Sequence, residues 1–107
     1  MGNMHCVAVR RLQMRLVGKQ LLAEFGEQHA EIRSSLDAWI REVEEADWSG
    51  PADIKARYPS ASILSESTFV FNIKGNKYRI ETKVSFEIKV VLAKQIGTHA
   101  EYTKWKL

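Results

Sequence analysis

Residues 67–86 read STFVFNIKGNKYRIETKVSF, two runs of alternating apolar and polar residues on either side of a short polar loop. Gly75-Asn76 lies at the centre of the loop, and such a pair between two alternating runs is typical of a β-hairpin. Successive side chains of a strand point to opposite faces of the sheet. The stretch therefore predicts two antiparallel strands that place one apolar face on a core.

The returning strand of this hairpin has two faces of different chemistry. Its apolar face carries Tyr78, Ile80, Thr82, Val84 and Phe86, and its other face carries Lys77, Arg79, Glu81, Lys83 and Ser85. Lys77, Arg79 and Lys83 form a ladder of cations that suits a phosphodiester backbone, because a guanidinium can grip phosphate through two parallel hydrogen bonds. A solvated face, partly neutralised by Glu81, explains the same pattern.

The rest of the chain predicts helices on one side of this sheet. Residues 14–17 (MRLV) suit an edge strand, and a helical pattern begins at Lys19. A second helix follows from apolar residues at three- and four-residue spacings, namely Ile32, Leu36, Trp39, Ile40 and Val43. One helical turn is expected before Pro59, and residues 88–96 form the last strand. The predicted fold is α+β: an N-terminal strand and two helices packed on a three- to four-stranded antiparallel sheet, with a short C-terminal helical turn.

Length and composition restrict the class of protein. The 107 residues suit one domain with a modest core. No apolar run approaches the roughly 20 residues that span a bilayer, so no membrane association is expected. The N-terminus has no apolar region of signal-peptide length, and the single cysteine, Cys6, has no partner for an internal disulfide. We therefore expect a cytoplasmic protein.

Charge is unevenly distributed along the chain. Residues 19–47 contain three basic and eight acidic residues, whereas residues 48–107 contain ten basic and five acidic residues. Clustered positive charge is the minimum requirement for a polyanion site, although acidic residues that merely solvate the helices would leave the same asymmetry. If the basic part binds RNA, the acidic helices should face away from it.

The segment Gly97–Tyr102, GTHAEY, follows the last strand and places a histidine, a carboxylate and a phenol close together. Thr98 and Glu101 have the spacing of a helix capping box, which accounts for these two residues without any function. His99 and Tyr102 are not needed for the cap. Histidine titrates near neutral pH and can transfer protons, and an aromatic ring can stack on an unpaired RNA base. A surface histidine on a capped helix is the structural alternative.

Three segments together resemble the HigB family of toxins from type II toxin–antitoxin systems. They are residues 70–80 (VFNIKGNKYRI), 96–102 (IGTHAEY) and 48–62 (WSGPADIKARYPSAS), and the resemblance covers about residues 14–102. It implies a RelE-like fold and an endoribonuclease that cleaves mRNA on the ribosome without a metal or other cofactor, by attack of the RNA 2′-hydroxyl. It also implies silencing by a cognate antitoxin, and suggests a helix-turn-helix DNA-binding domain in that antitoxin.

The resemblance assigns roles to individual residues. Arg79 matches the strand arginine that acts on the scissile phosphate, and His99 and Tyr102 match positions that transfer protons and orient the substrate. Asn76 and Lys77 lie in the hairpin motif and are expected to contact RNA. Lys83 joins this RNA-binding set on strand geometry alone.

Several alternatives remain open at this point. The same basic face could serve a non-catalytic module that binds RNA or only the antitoxin. A DNA-binding regulator is less well supported, because the long helical region is acidic rather than basic. Residues 1–13 precede the family pattern and are expected to be an extension of the toxin domain, residues 14–107. His5 and Cys6 in that extension lack further ligands at suitable spacing, so no metal site is predicted.

Overall fold

The computed structural model describes residues 13–105, so the predicted extension lies outside the described residues except for Gln13. Strand β1 (Arg15–Val17) leads into helices α1 (Lys19–Gln28) and α2 (Arg33–Glu45), which the 3-10 turn Ala30–Ile32 connects. Helix α3 (Pro51–Arg57) precedes the strands β2 (Ser62–Ile63), β3 (Thr68–Ile73), β4 (Tyr78–Ser85) and β5 (Val90–Thr98). The helical turn α4 (His99–Tyr102) follows β5.

The five strands form one sheet in the order β1-β5-β4-β3-β2. Neighbouring strands from β2 to β5 are antiparallel, whereas β1 pairs with β5 in parallel, with Leu16 opposite Val91. Parallel strands need a crossover connection, and here the helices and the other strands separate β1 from β5 along the chain. The α+β prediction is confirmed, and the sheet is mixed rather than wholly antiparallel.

The predicted hairpin lies at the centre of this sheet. Phe71 of β3 is opposite Ile80 of β4, and residues 74–77 form the connecting turn. Within the turn, Lys74 has φ 56° and Gly75 has φ 69°, and the amide of Lys77 donates to the carbonyl of Lys74 at 3.3 Å. Glycine adopts positive φ without steric cost, which explains why this chain turns at the Gly-Asn pair.

The main core lies between the helices and one face of the sheet. Trp39 of α2 is 2% exposed, and its ring meets that of Phe71 edge to face, with centroids 5.3 Å apart. Trp48, just after α2, stacks on the same Phe71 at 6.2 Å. Both tryptophans are thus structural, and the apolar spacing of the helix predicts this for Trp39.

Tyr58, at the end of α3, makes a partly buried hydrogen bond at the edge of this core. Its hydroxyl donates to the carboxylate of Glu42, which also forms an ion pair with Arg57. Burial, followed by the hydrogen bond to Glu42, raises the pKa of the Tyr58 phenol well above its ordinary value. The folded state therefore holds this phenol in its protonated form.

Replacing Tyr58 by phenylalanine is expected to lower the free energy of unfolding by about 1 kcal/mol at pH 7, because the hydrogen bond is lost. Since the folded pKa is raised, this contribution is complete below the unfolded pKa of about 10 and is lost as the pH rises above it. The difference between wild type and variant should therefore shrink above about pH 10. Denaturant titrations from pH 7 to 11 measure it, and a constant difference would contradict the argument.

Candidate active site

The sheet face opposite α1 and α2, here called the open face, carries the predicted cation ladder. Ile80 pairs with Phe71, which contacts α2, so Ile80 points toward the helices. Its neighbours Arg79 and Glu81 point the other way because side chains alternate along a strand. Lys83 lies on the open face for the same reason.

The C-terminal turn α4 folds over the end of the open face at Gly97. Arg79 lies opposite Gly97 in the pairing of β4 with β5. A methyl group placed on Gly97 would come within 2.7 Å of the Glu101 carboxylate and 2.9 Å of the Trp105 ring. The tail packs this closely on the strand because residue 97 has no side chain, and a larger residue would displace Glu101 and Trp105. Trp105 also meets the ring of Tyr102, at 5.5 Å.

The predicted capping box at the start of α4 is present. The hydroxyl of Thr98 accepts the amide of Glu101 at 3.1 Å, and the carboxylate of Glu101 accepts the amide of Thr98 at 2.8 Å. This reciprocal pair sets the direction in which α4 leaves the sheet. The cap therefore helps to set where His99 and Tyr102 lie, because both residues belong to α4.

Four of the predicted site residues are linked in pairs at this end of the sheet, and we call them the Arg79 cluster: Lys77, Arg79, His99 and Tyr102. The guanidinium carbon of Arg79 lies 4.8 Å from the centre of the Tyr102 ring. The amide of His99 donates to the carbonyl of Lys77 at 2.9 Å, which joins the hairpin to α4. A cation over an aromatic face is attracted by the ring electrons, so Tyr102 favours this position of the guanidinium.

Arg79 is half-buried, and its Nε has no hydrogen-bond partner among residues 13–105. Lys77 and His99 are exposed. Guanidinium groups bind phosphate through pairs of parallel N–H bonds. The Arg79 cluster therefore combines a guanidinium that lies over an aromatic ring with two exposed residues, Lys77 and His99, whose backbones are bonded to each other.

The other two predicted RNA-binding residues lie apart from Arg79. Asn76 is exposed in the hairpin turn, next to Lys77. Lys83 is exposed on the open face, but it is four residues along β4 from Arg79, about 13 Å at the usual rise per residue. The cation ladder is thus interrupted, and Lys83 is placed to contact a different part of any polyanion from the part that reaches Arg79.

The interruption is the side chain of Glu81, which is only 5% exposed. Gln95 of β5 lies opposite and donates its amide to the Glu81 carboxylate at 2.6 Å. Just beyond this pair the register between the strands shifts by one residue of β5. Glu81 lies opposite Gln95, whereas the next residue, Thr82, lies opposite Ala93. Alternation along β4 indicated a charged residue here, but it could not reveal that Gln95 would bury the carboxylate.

Helices α1 and α2, on the other side of the sheet, carry six of the eight acidic residues found between positions 19 and 47. Glu44 of α2 forms an ion pair with Lys19, and Asp47, just after α2, forms one with Lys89. The Arg79 cluster is on the opposite side of the sheet from α1 and α2. That the acidic helices face away from a bound polyanion stays a prediction.

No helix within residues 13–105 is long and apolar enough to cross a membrane. In the same part of the chain, no group of three or more histidine, cysteine or acidic side chains is arranged to hold a metal ion. His5 and Cys6 lie outside the described residues, so the expectation that they bind no metal stays a prediction.

Comparison with known proteins places the chain among toxins. A protein-family model described as HigB toxin, RelE-like toxic component of a toxin–antitoxin system, matches residues 32–105. The chain belongs to the HigB toxin family. The matched residues run from the start of α2 to Trp105 and include every member of the Arg79 cluster. As a HigB toxin, the chain has an antitoxin as the other component of its system.

Individual relatives are similar over most of their length. The mRNA interferase toxin HigB of Escherichia coli K12 is 26% identical over 91 residues, which cover 83% of this chain and 88% of that protein. The mRNA interferases HigB of Escherichia coli O157:H7 and Shigella flexneri match with the same identity and coverage. The resemblance inferred from the three sequence segments is confirmed at the level of the family.

Proposed function

We propose that this HigB toxin is an endoribonuclease that cleaves mRNA at the Arg79 cluster. The observation that carries the proposal is the guanidinium of Arg79, held 4.8 Å from the Tyr102 ring beside the Lys77–His99 backbone link. The relatives named mRNA interferase support the same activity. The cluster combines the groups that phosphodiester cleavage requires, which are cations for the phosphate and an ionisable group for proton transfer.

The proposed reaction uses the RNA's own 2′-hydroxyl as nucleophile. The 2′-oxygen loses its proton and attacks the adjacent phosphorus, and the bond from phosphorus to the 5′-oxygen breaks. The departing 5′-oxygen gains a proton, so the products are a 2′,3′-cyclic phosphate and a 5′-hydroxyl. Negative charge on the phosphate oxygens is greatest in the crowded transition state, where a fixed cation stabilises it most.

Each residue of the cluster has a role in this scheme. Arg79 binds the non-bridging phosphate oxygens, and Tyr102 positions its guanidinium and offers a ring edge to the substrate. His99 transfers a proton, and Lys77 binds the backbone next to the reacting phosphate. Asn76 and Lys83 contact the RNA on either side, because the turn and the far part of β4 flank the cluster.

The wider setting of the proposed reaction is the translating ribosome in the cytoplasm. The acidic surface of α1 and α2 is repelled by ribosomal RNA, so the open face turns toward the mRNA. The antitoxin, which we propose carries a helix-turn-helix domain, silences the toxin by covering the open face or by preventing its entry into the ribosome.

Mapping of RNA 5′ ends tests this function directly. A defined mRNA incubated with the purified toxin and translating ribosomes should gain new 5′-hydroxyl ends, and far fewer without ribosomes. A matched mRNA with a single 2′-deoxynucleotide at the mapped position should lose cleavage at that bond alone, because the nucleophile is missing there. This control separates 2′-hydroxyl attack from hydrolysis by an activated water.

Two results would contradict the proposal. Cleavage that persists at the 2′-deoxy position would exclude the 2′-hydroxyl as nucleophile. Retained binding to ribosomes or antitoxin, without any new RNA ends from a folded protein, would favour the non-catalytic binding module instead.

A further inference from the structure

A buried tyrosine joins the helices to the end of the sheet that carries the Arg79 cluster. Tyr78 is the first residue of β4 and is 6% exposed. Its hydroxyl donates to the carboxylate of Glu31, which lies in the 3-10 turn between α1 and α2. Forty-seven positions separate the two residues in sequence, so this hydrogen bond is a long-range connection between the two layers.

The ring of Tyr78 also packs against the helical layer. Phe25 of α1 and His29 just after it stack on each other with centroids 4.1 Å apart. Both rings also meet Tyr78 edge to face, each at 5.8 Å. Such edge contacts between aromatic rings are favourable beyond the area that they bury. The end of β4 is therefore packed against the helical layer through one side chain.

Tyr78 lies between two residues of the Arg79 cluster in sequence. These neighbours are Lys77 and Arg79, and within the strand the side chain of Arg79 points to the opposite face. The carbonyl of Lys77 accepts the amide of His99, and Tyr78 itself pairs with Thr98, the cap of α4. A shift of Tyr78 would thus move the hairpin and α4 together.

We propose that Tyr78 and Glu31 are positioning residues for RNA cleavage, acting from the helical side of the sheet to hold the Arg79 cluster in its reactive arrangement. This inference rests on the proposed function, since it assigns two further residues to the same reaction. Neither residue touches the RNA, because both lie on the face opposite the cluster.

The chemistry of the pair suits this role. The hydrogen bond to Tyr78 lowers the pKa of Glu31, and the bond to Glu31 raises the pKa of Tyr78. The neutral phenol and the charged carboxylate therefore persist together at neutral pH, where a charge-assisted hydrogen bond is stronger than a neutral one.

The chain contains a matched control for this pair. Tyr58 donates to Glu42 in the same way, also between a tyrosine and a glutamate of the helical layer. However, Tyr58 follows α3 and lies outside the strands that carry the Arg79 cluster. Tyr58→Phe should therefore weaken the fold through the loss of the same type of bond while leaving the cluster undisturbed.

Kinetics of the full-length toxin on ribosome-bound mRNA test the inference. Tyr78→Phe keeps the ring and removes the hydroxyl, and it should lower kcat about tenfold with little change in KM, because reacting groups lose their alignment. Glu31→Ala should have the same effect, and the double variant should be no slower than either single variant. Glu31→Gln should retain much of the rate, since its amide oxygen can still accept the phenol.

Hydrogen exchange provides a readout that does not depend on cleavage. The His99 amide, bonded to Lys77, should exchange about tenfold faster in Tyr78→Phe if that end of the sheet loosens, and should be unchanged in Tyr58→Phe. A wild-type toxin that cuts no RNA would refute the proposed function. The exchange rates of the His99 amide in the two variants would still test whether Tyr78 positions this end of the sheet. Wild-type kcat in Tyr78→Phe, unchanged His99 exchange, or equal loss of kcat in Tyr58→Phe would each overturn the inference.

Discussion

Replacing Arg79 by alanine is expected to slow mRNA cleavage by about 10²- to 10³-fold, the range found when one preorganised donor to a developing oxyanion is removed. The physical reason is the fixed position of the guanidinium over Tyr102. A cation held in place costs no reorganisation when charge builds on the phosphate. Single-turnover rates at saturating toxin measure this effect separately from RNA binding.

Two variants make the result specific to the guanidinium. Arg79→Lys keeps the positive charge but loses the paired N–H donors, so it should recover only a small part of the rate. Lys83→Ala removes a cation of the same face about 13 Å away by strand rise. It should weaken binding and its dependence on salt while the saturated rate stays close to wild type. Equal rate losses in Arg79→Ala and Lys83→Ala would mean that general charge, rather than a placed guanidinium, accounts for the activity.

Local patterns were sufficient to predict the parts of the fold that depend on near neighbours in sequence. The Gly75-Asn76 turn joins β3 and β4 as expected, because backbone conformation at a tight turn depends on the residues that form it. The cap formed by Thr98 and Glu101 is likewise a contact over three residues. The apolar spacing of α2 predicted the buried position of Trp39.

Contacts between distant segments could not be predicted from the pattern. The parallel pairing of β1 with β5 depends on where the chain returns after the helices and the other strands, and a three-residue strand contains no signal for its partner. The burial of Glu81 depends on Gln95, which reaches it because the strand register shifts at this point. Alternation alone indicated an exposed, charged position there.

The candidate site also combines features that local sequence predicts with contacts between distant segments that it does not. Residue type and resemblance to the toxin family point to Arg79, His99 and Tyr102, but the contact between Arg79 and Tyr102 arises from α4 folding over Gly97. Gly97 at the end of the last strand is the sequence feature that indicates a close approach of another segment to the strand. Alternation along the strand places Tyr78 on the apolar face. Its bond to Glu31 had no counterpart in the sequence pattern, because the two residues are far apart in the chain.

Replacing His99 by alanine should slow cleavage by about 10²-fold or more, the usual contribution of a positioned proton-transfer group. The imidazole is exposed at the start of α4, so the side chain can be removed without leaving a cavity, and the Lys77 bond uses only the backbone amide of residue 99. The fold and the hairpin contact should therefore survive. Unfolding midpoints and single-turnover rates of the two proteins provide the measurement, and added imidazole should restore part of the lost rate.

The same variant distinguishes the two directions of proton transfer. An RNA whose scissile 5′-oxygen is replaced by sulfur has a leaving group that needs no proton. If His99 protonates the leaving group, His99→Ala should cleave this RNA at nearly the wild-type rate. If His99 instead removes the 2′-hydroxyl proton, the variant should be slow on both RNAs, because the nucleophile is unchanged. A variant as fast as wild type on the ordinary RNA would remove His99 from the mechanism. Arg79 and Lys77 would then remain as the catalytic groups.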